Sequence, residues 1–172
     1  MEPVLIRNFF TDIENSYYQD VERYLNMGID PNIWIRNTDG LKALHIACMN
    51  DDLNMIRLLL SHGAAESIGY KSLTSQRTPF FYCQSTEAHR LLVETGVSID
   101  INEIDGFGFS KLHNAAIEGN LSYAKYLLDN GANITAKTNV NNTPLHSAVI
   151  FGHYEVTELL TSYGRILMTS IQ

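Results

Sequence analysis

The six histidines are the residues of this chain best suited to metal or proton chemistry. A zinc site needs three or four such ligands converging on one point. His45, His113 and His146 stand 68 and 33 residues apart (113 − 45 and 146 − 113), one position recurring at a fixed period. Equivalent side chains of a repeating chain fall on successive rungs, about 10 Å apart by the diameter of a helix, and do not surround one ion. His62, His89 and His153 are isolated and form no pair at helical metal-site spacing. Ser85-Thr86 before Glu87 has the residue types of a nucleophile and an acid, but hydroxyls standing just before a helical pattern read better as a helix cap. Gly106-Phe107-Gly108 is too short for a phosphate-cradling loop. Asp51-Asp52 and the stretch from Asp100 to Asp105 lack the spacing and closing glutamate of a calcium loop and read as solvated loops. No catalytic, cofactor-binding or metal residue is therefore assigned. An enzyme or metal protein with an unrecognised site is the competing reading of another class, and a stoichiometric bound metal would favour it.

Composition narrows the partners. The 172 residues suffice for one domain with a real core, and 45% hydrophobic with 18% charged residues is ordinary for a globular chain. A net charge of −7 opposes nucleic-acid binding, which needs clustered Lys and Arg. No apolar run approaches the roughly 20 residues of a membrane span, and the N-terminus lacks the pattern of a signal peptide. Cys48 and Cys83 are the only cysteines, both in helical pattern, and read as small buried apolar residues. A reducing, cytoplasmic setting is expected, with the host-cell cytosol and the nucleus also open.

The elements that carry these residues repeat. Gly28, Gly63, Gly96, Gly131 and Gly164 are spaced 35, 33, 35 and 33 residues apart (63 − 28, 96 − 63, 131 − 96, 164 − 131), and each recurring histidine lies 18 residues before its unit's glycine. The most regular unit opens with Thr143-Pro144-Leu145-His146, continues through Gly152-His153 and Leu159-Leu160, and ends at Gly164. Pro144 suits a first helical turn, Thr143 a cap, and Gly152 a left-handed helix end. This pattern resembles the ankyrin repeat, whose period is about 33 residues. The resemblance implies an all-α solenoid of helix-turn-helix units joined by hairpin loops. It covers a single domain, 1–172, with units at about 1–37, 38–72, 73–105, 106–137 and 138–172, the first and last being caps. It also implies that the recurring histidine bridges backbone groups of neighbouring hairpins.

Within that frame the first unit lacks the turn pattern and is expected to place helices within 4–15 and 18–27, with Glu14, Asp20, Glu22 and Arg23 on a polar outer face. Asp51 stands where later units have Gly119 and Gly152, and is expected to take left-handed geometry. The third unit has Phe81 in place of the histidine, only 15 residues before Gly96. A shortened first helix at about 79–84 and a bulging loop over 64–77 follow.

In the family, partners usually lie on the concave face, built from hairpin tips and the exposed side of each first helix. The positions facing it here are Asp39, Leu41, Met49 and Asn50, then Phe107, Phe109, Ile117 and Glu118, then Val140, Asn142, Ile150 and Phe151. Eight of these twelve are apolar, more than an exposed face carries without a partner. Trp34 and Arg36 extend the set on the first hairpin. The resemblance implies a non-catalytic monomer that binds another protein through Trp34, Arg36, Leu41, Met49, Phe107, Phe109, Ile117, Val140, Ile150 and Phe151, with no cofactor, nucleic acid or membrane insertion. A stand-alone adaptor and a pathogen effector acting like an inhibitor of NF-κB are two settings for such a module. The chain has no D-S-G-x-x-S degradation signal, and its Asn-, Ile- and Tyr-rich composition points to an AT-rich genome.

Overall fold

A computed structural model describes residues 3–34 and 39–169. Among the described residues the secondary structure is helical, with two isolated antiparallel bridges, Trp34 with Lys42 and Ile104 with Ser110, at the bases of hairpins. The chain divides into two compact units, Met1–Ile99 and Asp100–Gln172.

The first unit holds three helix pairs. Helices α1 (Pro3–Glu14) and α2 (Tyr18–Asn26) form the N-terminal pair at the positions expected of a cap. Phe9, Phe10, Ile13, Val21 and Tyr24 are buried between and beneath them, and Phe9 meets Phe10 and Tyr24 edge-on. Such edge contacts place the positive ring edge against a negative face. Glu14, Glu22 and Arg23 are exposed and Asp20 is partly so, as a polar outer face requires.

Helices α3 (Ala43–Met49) and α4 (Leu53–Ser61) follow. Ala43, Ala47 and Cys48 are fully buried, and their small side chains let α3 pack closely against its neighbours. Asp52 caps α4 by accepting from the Met55 N–H at 3.0 Å. Asp51 does adopt the left-handed conformation, at φ 50°.

The third pair, α5 (Pro79–Tyr82) and α6 (Thr86–Val93), shows the shortening expected from the sequence, because α5 is a single turn. Two expectations are corrected here. Cys83 is buried but lies just past α5, at φ −57° and ψ 137°, not within a helix. The segment before α5 is folded and does not bulge loosely. Ala64–Ser67 form a 3₁₀ turn, Ser72 pairs with Arg77 through main chain and hydroxyl, and Ala64, Ser67, Ile68 and Ser72 are buried.

The second unit contains two regular pairs, α7 (Lys111–Glu118) with α8 (Leu121–Asp129), and α9 (Pro144–Ile150) with α10 (Tyr154–Thr169). Pro144 occupies the first turn of α9 and Thr143 caps it, as the sequence predicts. Gly119 ends α7 at φ 69°. Leu112, Ala115, Ala116, Tyr123, Ala124 and Leu127 make the core of this unit.

Candidate protein-binding face

The histidines define the scaffold. In His45 the Lys42 N–H donates to Nδ1 at 3.2 Å, which leaves Nε2–H to donate to the Tyr70 carbonyl at 3.0 Å. His113 repeats this with the Ser110 N–H on Nδ1 and the Asn142 carbonyl on Nε2, both at 3.0 Å. Each ring thus joins its own turn to the next hairpin, and a metal has no open nitrogen to take. Burial pushes the His45 imidazole down to about 4, against the opposing pull of its hydrogen bonds to the Tyr70 and Arg77 backbones. Burial lowers His113 as well. Among the described residues His146 bonds only within its own turn, to Thr143, and it is exposed. Among the described residues no three His, Cys, Asp or Glu side chains cluster where a metal would sit, and no helix is long and apolar enough to cross a membrane.

Acidic residues shape the hairpins. Asp105 is buried and accepts from the Phe107 and Phe109 N–H groups, each at 2.9 Å, which corrects the expectation of a solvated loop there. Asp39, read as a candidate surface position, ties its hairpin to the next one by accepting from Thr74 N–H, Ser75 N–H and the Ser75 hydroxyl. Desolvation works to raise its carboxyl, but these hydrogen bonds outweigh it and hold the group well below the usual carboxylate range.

Ser85 is a cap, as its type and place suggest. Its hydroxyl accepts from the Ala88 N–H and donates to Asp51 at 2.9 Å. Glu87 lies in the first turn of α6, where a carboxylate suits the helix dipole.

The proposed contact residues divide between the units. In the first unit Trp34 and Met49 are exposed and Leu41 is partly buried, while Arg36 lies outside the described residues. In the second unit Phe107 is 57% exposed, Val140 71%, Ile150 65% and Phe151 56%. The Asn139 N–H donates to the Phe107 carbonyl at 3.1 Å, which sets the Phe107 and Val140 hairpins side by side. Ile117 is partly buried, and its carbonyl accepts from His153 Nε2 at 2.8 Å. Phe109 departs from the expected exposure. It is partly buried and meets the His113 ring edge-on at 5.6 Å. The turn around Asp105 explains the contrast, since residues 107 and 109 flank Gly108 at φ 81° and leave the turn in different directions.

Sequence reasoning missed Val149 and Tyr154, both well exposed. The offset of Val149 from His146, shared with the fully buried Cys48 and Ala116, signals burial, so its exposure was not legible in the sequence.

Residues 12–105 match a family description of ankyrin repeats in three copies, and residues 84–128 and 112–161 match one of ankyrin repeats in many copies. Among known proteins the chain is similar to the tyrosine-protein kinase HTK16 of Hydra vulgaris, 32% identical over 136 residues, covering 78% of this chain and 18% of that protein. It is 27% identical over 133 residues to the putative ankyrin repeat protein L371 of Acanthamoeba polyphaga mimivirus, covering 76% and 17%. With the putative ankyrin repeat protein FPV031 of fowlpox virus it shares 31% over 156 residues, 85% of this chain and 44% of the relative. The matched regions thus span less than half the length of these relatives. Helix pairs at a 33- to 35-residue period, histidines strung between hairpins and these matches agree, and the chain belongs to the ankyrin-repeat family.

Proposed function

We propose that this chain is a non-catalytic module that binds a partner protein on the hairpin-tip and first-helix side of its second unit. Ankyrin repeats are in general protein–protein interaction modules. The observation that carries the reading is the exposure of four large apolar side chains, Phe107, Val140, Ile150 and Phe151, on two adjoining repeats. Leaving them in water forgoes roughly 1.5–3 kcal/mol for each side chain that burial would return. Met49 and Trp34 supply a further contact on the first unit. Cys48 and Cys83, both buried and not joined in a disulfide, suit a reducing, cytoplasmic setting.

A second, narrower reading is a pathogen effector that sequesters a host signalling protein in the manner of an inhibitor of NF-κB; two of the similar proteins are viral. Affinity capture with mass spectrometry tests both, comparing the native chain with a Phe107→Ala, Phe151→Ala variant. A protein captured by the native chain and lost from the variant supports the site. Equal capture by both places the site elsewhere, and a partner outside host signalling removes the effector reading.

A further inference from the structure

The last helix pair of the second unit leaves open the positions that are covered in the other histidine-bearing repeats. Leu145, His146 and Val149 lie one residue before, at, and three residues after the recurring histidine. Their counterparts Leu44, His45 and Cys48, and Leu112, His113 and Ala116, are all buried to within 1%. Val149, by contrast, is 60% exposed, His146 is exposed and Leu145 is partly so. Beside Leu145 runs an apolar groove of about 640 Å³, lined by Ile134, Leu145, Leu160 and Gly164 together with Thr161 and Arg165.

Helix α10 indicates what covers this face. Glu158, Thr161 and Arg165 follow one another at spacings of three and four residues, so they share one stripe. Thr161 and Arg165 line the groove, and Glu158 extends the stripe by one turn. Glu158 and Arg165 are both exposed and form no ion pair among the described residues. They are also symmetric about the midpoint between residues 161 and 162. When two α10 helices lie antiparallel with a two-fold axis at that midpoint, Glu158 of each copy faces Arg165 of the other, and both contacts form at once. Gly164 adds room for the approach, since nothing lies within 4 Å of where its Cβ would be.

We propose that the α9–α10 face is a self-association surface on which a second copy of this chain docks through an antiparallel α10 pair, covering Leu145 and Val149. The arrangement is isologous, so it closes at a dimer and does not propagate. It departs from the monomer expected of the sequence.

Sedimentation equilibrium of the full chain across the micromolar range tests this. A monomer–dimer equilibrium is expected. Arg165→Glu alone and Glu158→Arg alone should each weaken the dimer about tenfold, the size of two surface ion pairs made repulsive. An equimolar mixture of the two single variants restores opposite charges at both contacts and should recover the native affinity, as should the double variant. Val149→Asp should abolish the dimer while the melting temperature at low concentration stays that of the native monomer, because the side chain is exposed. A chain that is monomeric at every concentration overturns the proposal, and so does a dimer indifferent to the charge variants.

Discussion

The His153 imidazole lies over Gly119 so closely that a Cβ built on that glycine would sit 2.4 Å from Nδ1. The same ring holds Nε2 2.8 Å from the Ile117 carbonyl, fastening the turn after α7 to the start of α10. Gly119→Ala therefore carries two costs. Its φ of 69° is left-handed, worth about 1–2 kcal/mol for a residue with a Cβ. The displaced ring also loses its hydrogen bond, worth about 1 kcal/mol. Gly152→Ala, at φ 75° with nothing within 4 Å, carries the first cost alone. Urea melts should show Gly119→Ala the more destabilising by about 1 kcal/mol, and the two should converge on a His153→Ala background. Equal values on the native background would show that the ring contact contributes nothing.

At Asp51 the repeat pattern suggests glycine, yet glycine should be worse. The left-handed φ of 50° costs the native aspartate about 1 kcal/mol. In return its Oδ1 accepts from Gln84 N–H at 3.3 Å, Ser85 N–H at 3.2 Å and the Ser85 hydroxyl at 2.9 Å. Hydrogen bonds to a charged group are worth about 1.5–3 kcal/mol, so Asp51→Gly should destabilise by roughly 1 kcal/mol or more. Hydrogen exchange should locate the loss at the N-terminus of α6. A variant more stable than the native protein would show that these bonds do not compensate for the backbone.

These cases show what the sequence could convey. Local rules placed α1, α2 and α5 to within a residue or two, because caps such as Thr143 and Ser85 and breakers such as Pro144 act within a few positions, but α10 runs through Gly164, read as the end of its unit, to Thr169. The left-handed Asp51 was legible from its register with two glycines. Its bonds to Ser85, 34 residues away, were not, because they depend on how successive turns stack. The candidate surface failed in the same way at Asp39 and Phe109. Periodicity identifies which positions face a given side, but whether a side chain there meets solvent or a neighbour is a tertiary fact. The burial of Asp105 decides it for Phe107 and Phe109.

Acid should loosen the first unit through His45. The His45 imidazole, held near 4 when folded, has an ordinary value of 6.5 when unfolded. Between those values the unfolded chain binds a proton that the folded chain refuses, so stability rises with pH across that window. The contribution is complete above about 6.5 and is lost as pH falls toward 4, on the order of 3 kcal/mol in all. His113 acts in the same direction. Desolvation by burial is the main reason, and a proton on Nδ1 would also meet the Lys42 N–H that now donates to it. Urea midpoints for the native chain should fall between neutral pH and about pH 5, more steeply than for His45→Gln. Parallel slopes would remove His45 as the source.

The binding face yields the last prediction, altered by the burial of Phe109. Phe107→Ala with Phe151→Ala removes two rings on residues that are each more than half exposed. Each ring buried by a partner contributes roughly 1.5–3 kcal/mol, so the pair should weaken partner binding at least about 100-fold, which corresponds to about 2.7 kcal/mol. The melting temperature should barely move. Phe109→Ala should behave differently, lowering stability through the lost contact with His113 while leaving most of the affinity in the folded fraction. Leu127→Ala, at a fully buried position in α8, marks the scale of a true core loss at about 2–5 kcal/mol. If the Phe107 and Phe151 variant melts like Leu127→Ala, those rings belong to the core and the surface is misread. If it folds normally and binds with native affinity, the partner uses another face, and the exposed Trp34 and Met49 of the first unit become the next residues to change.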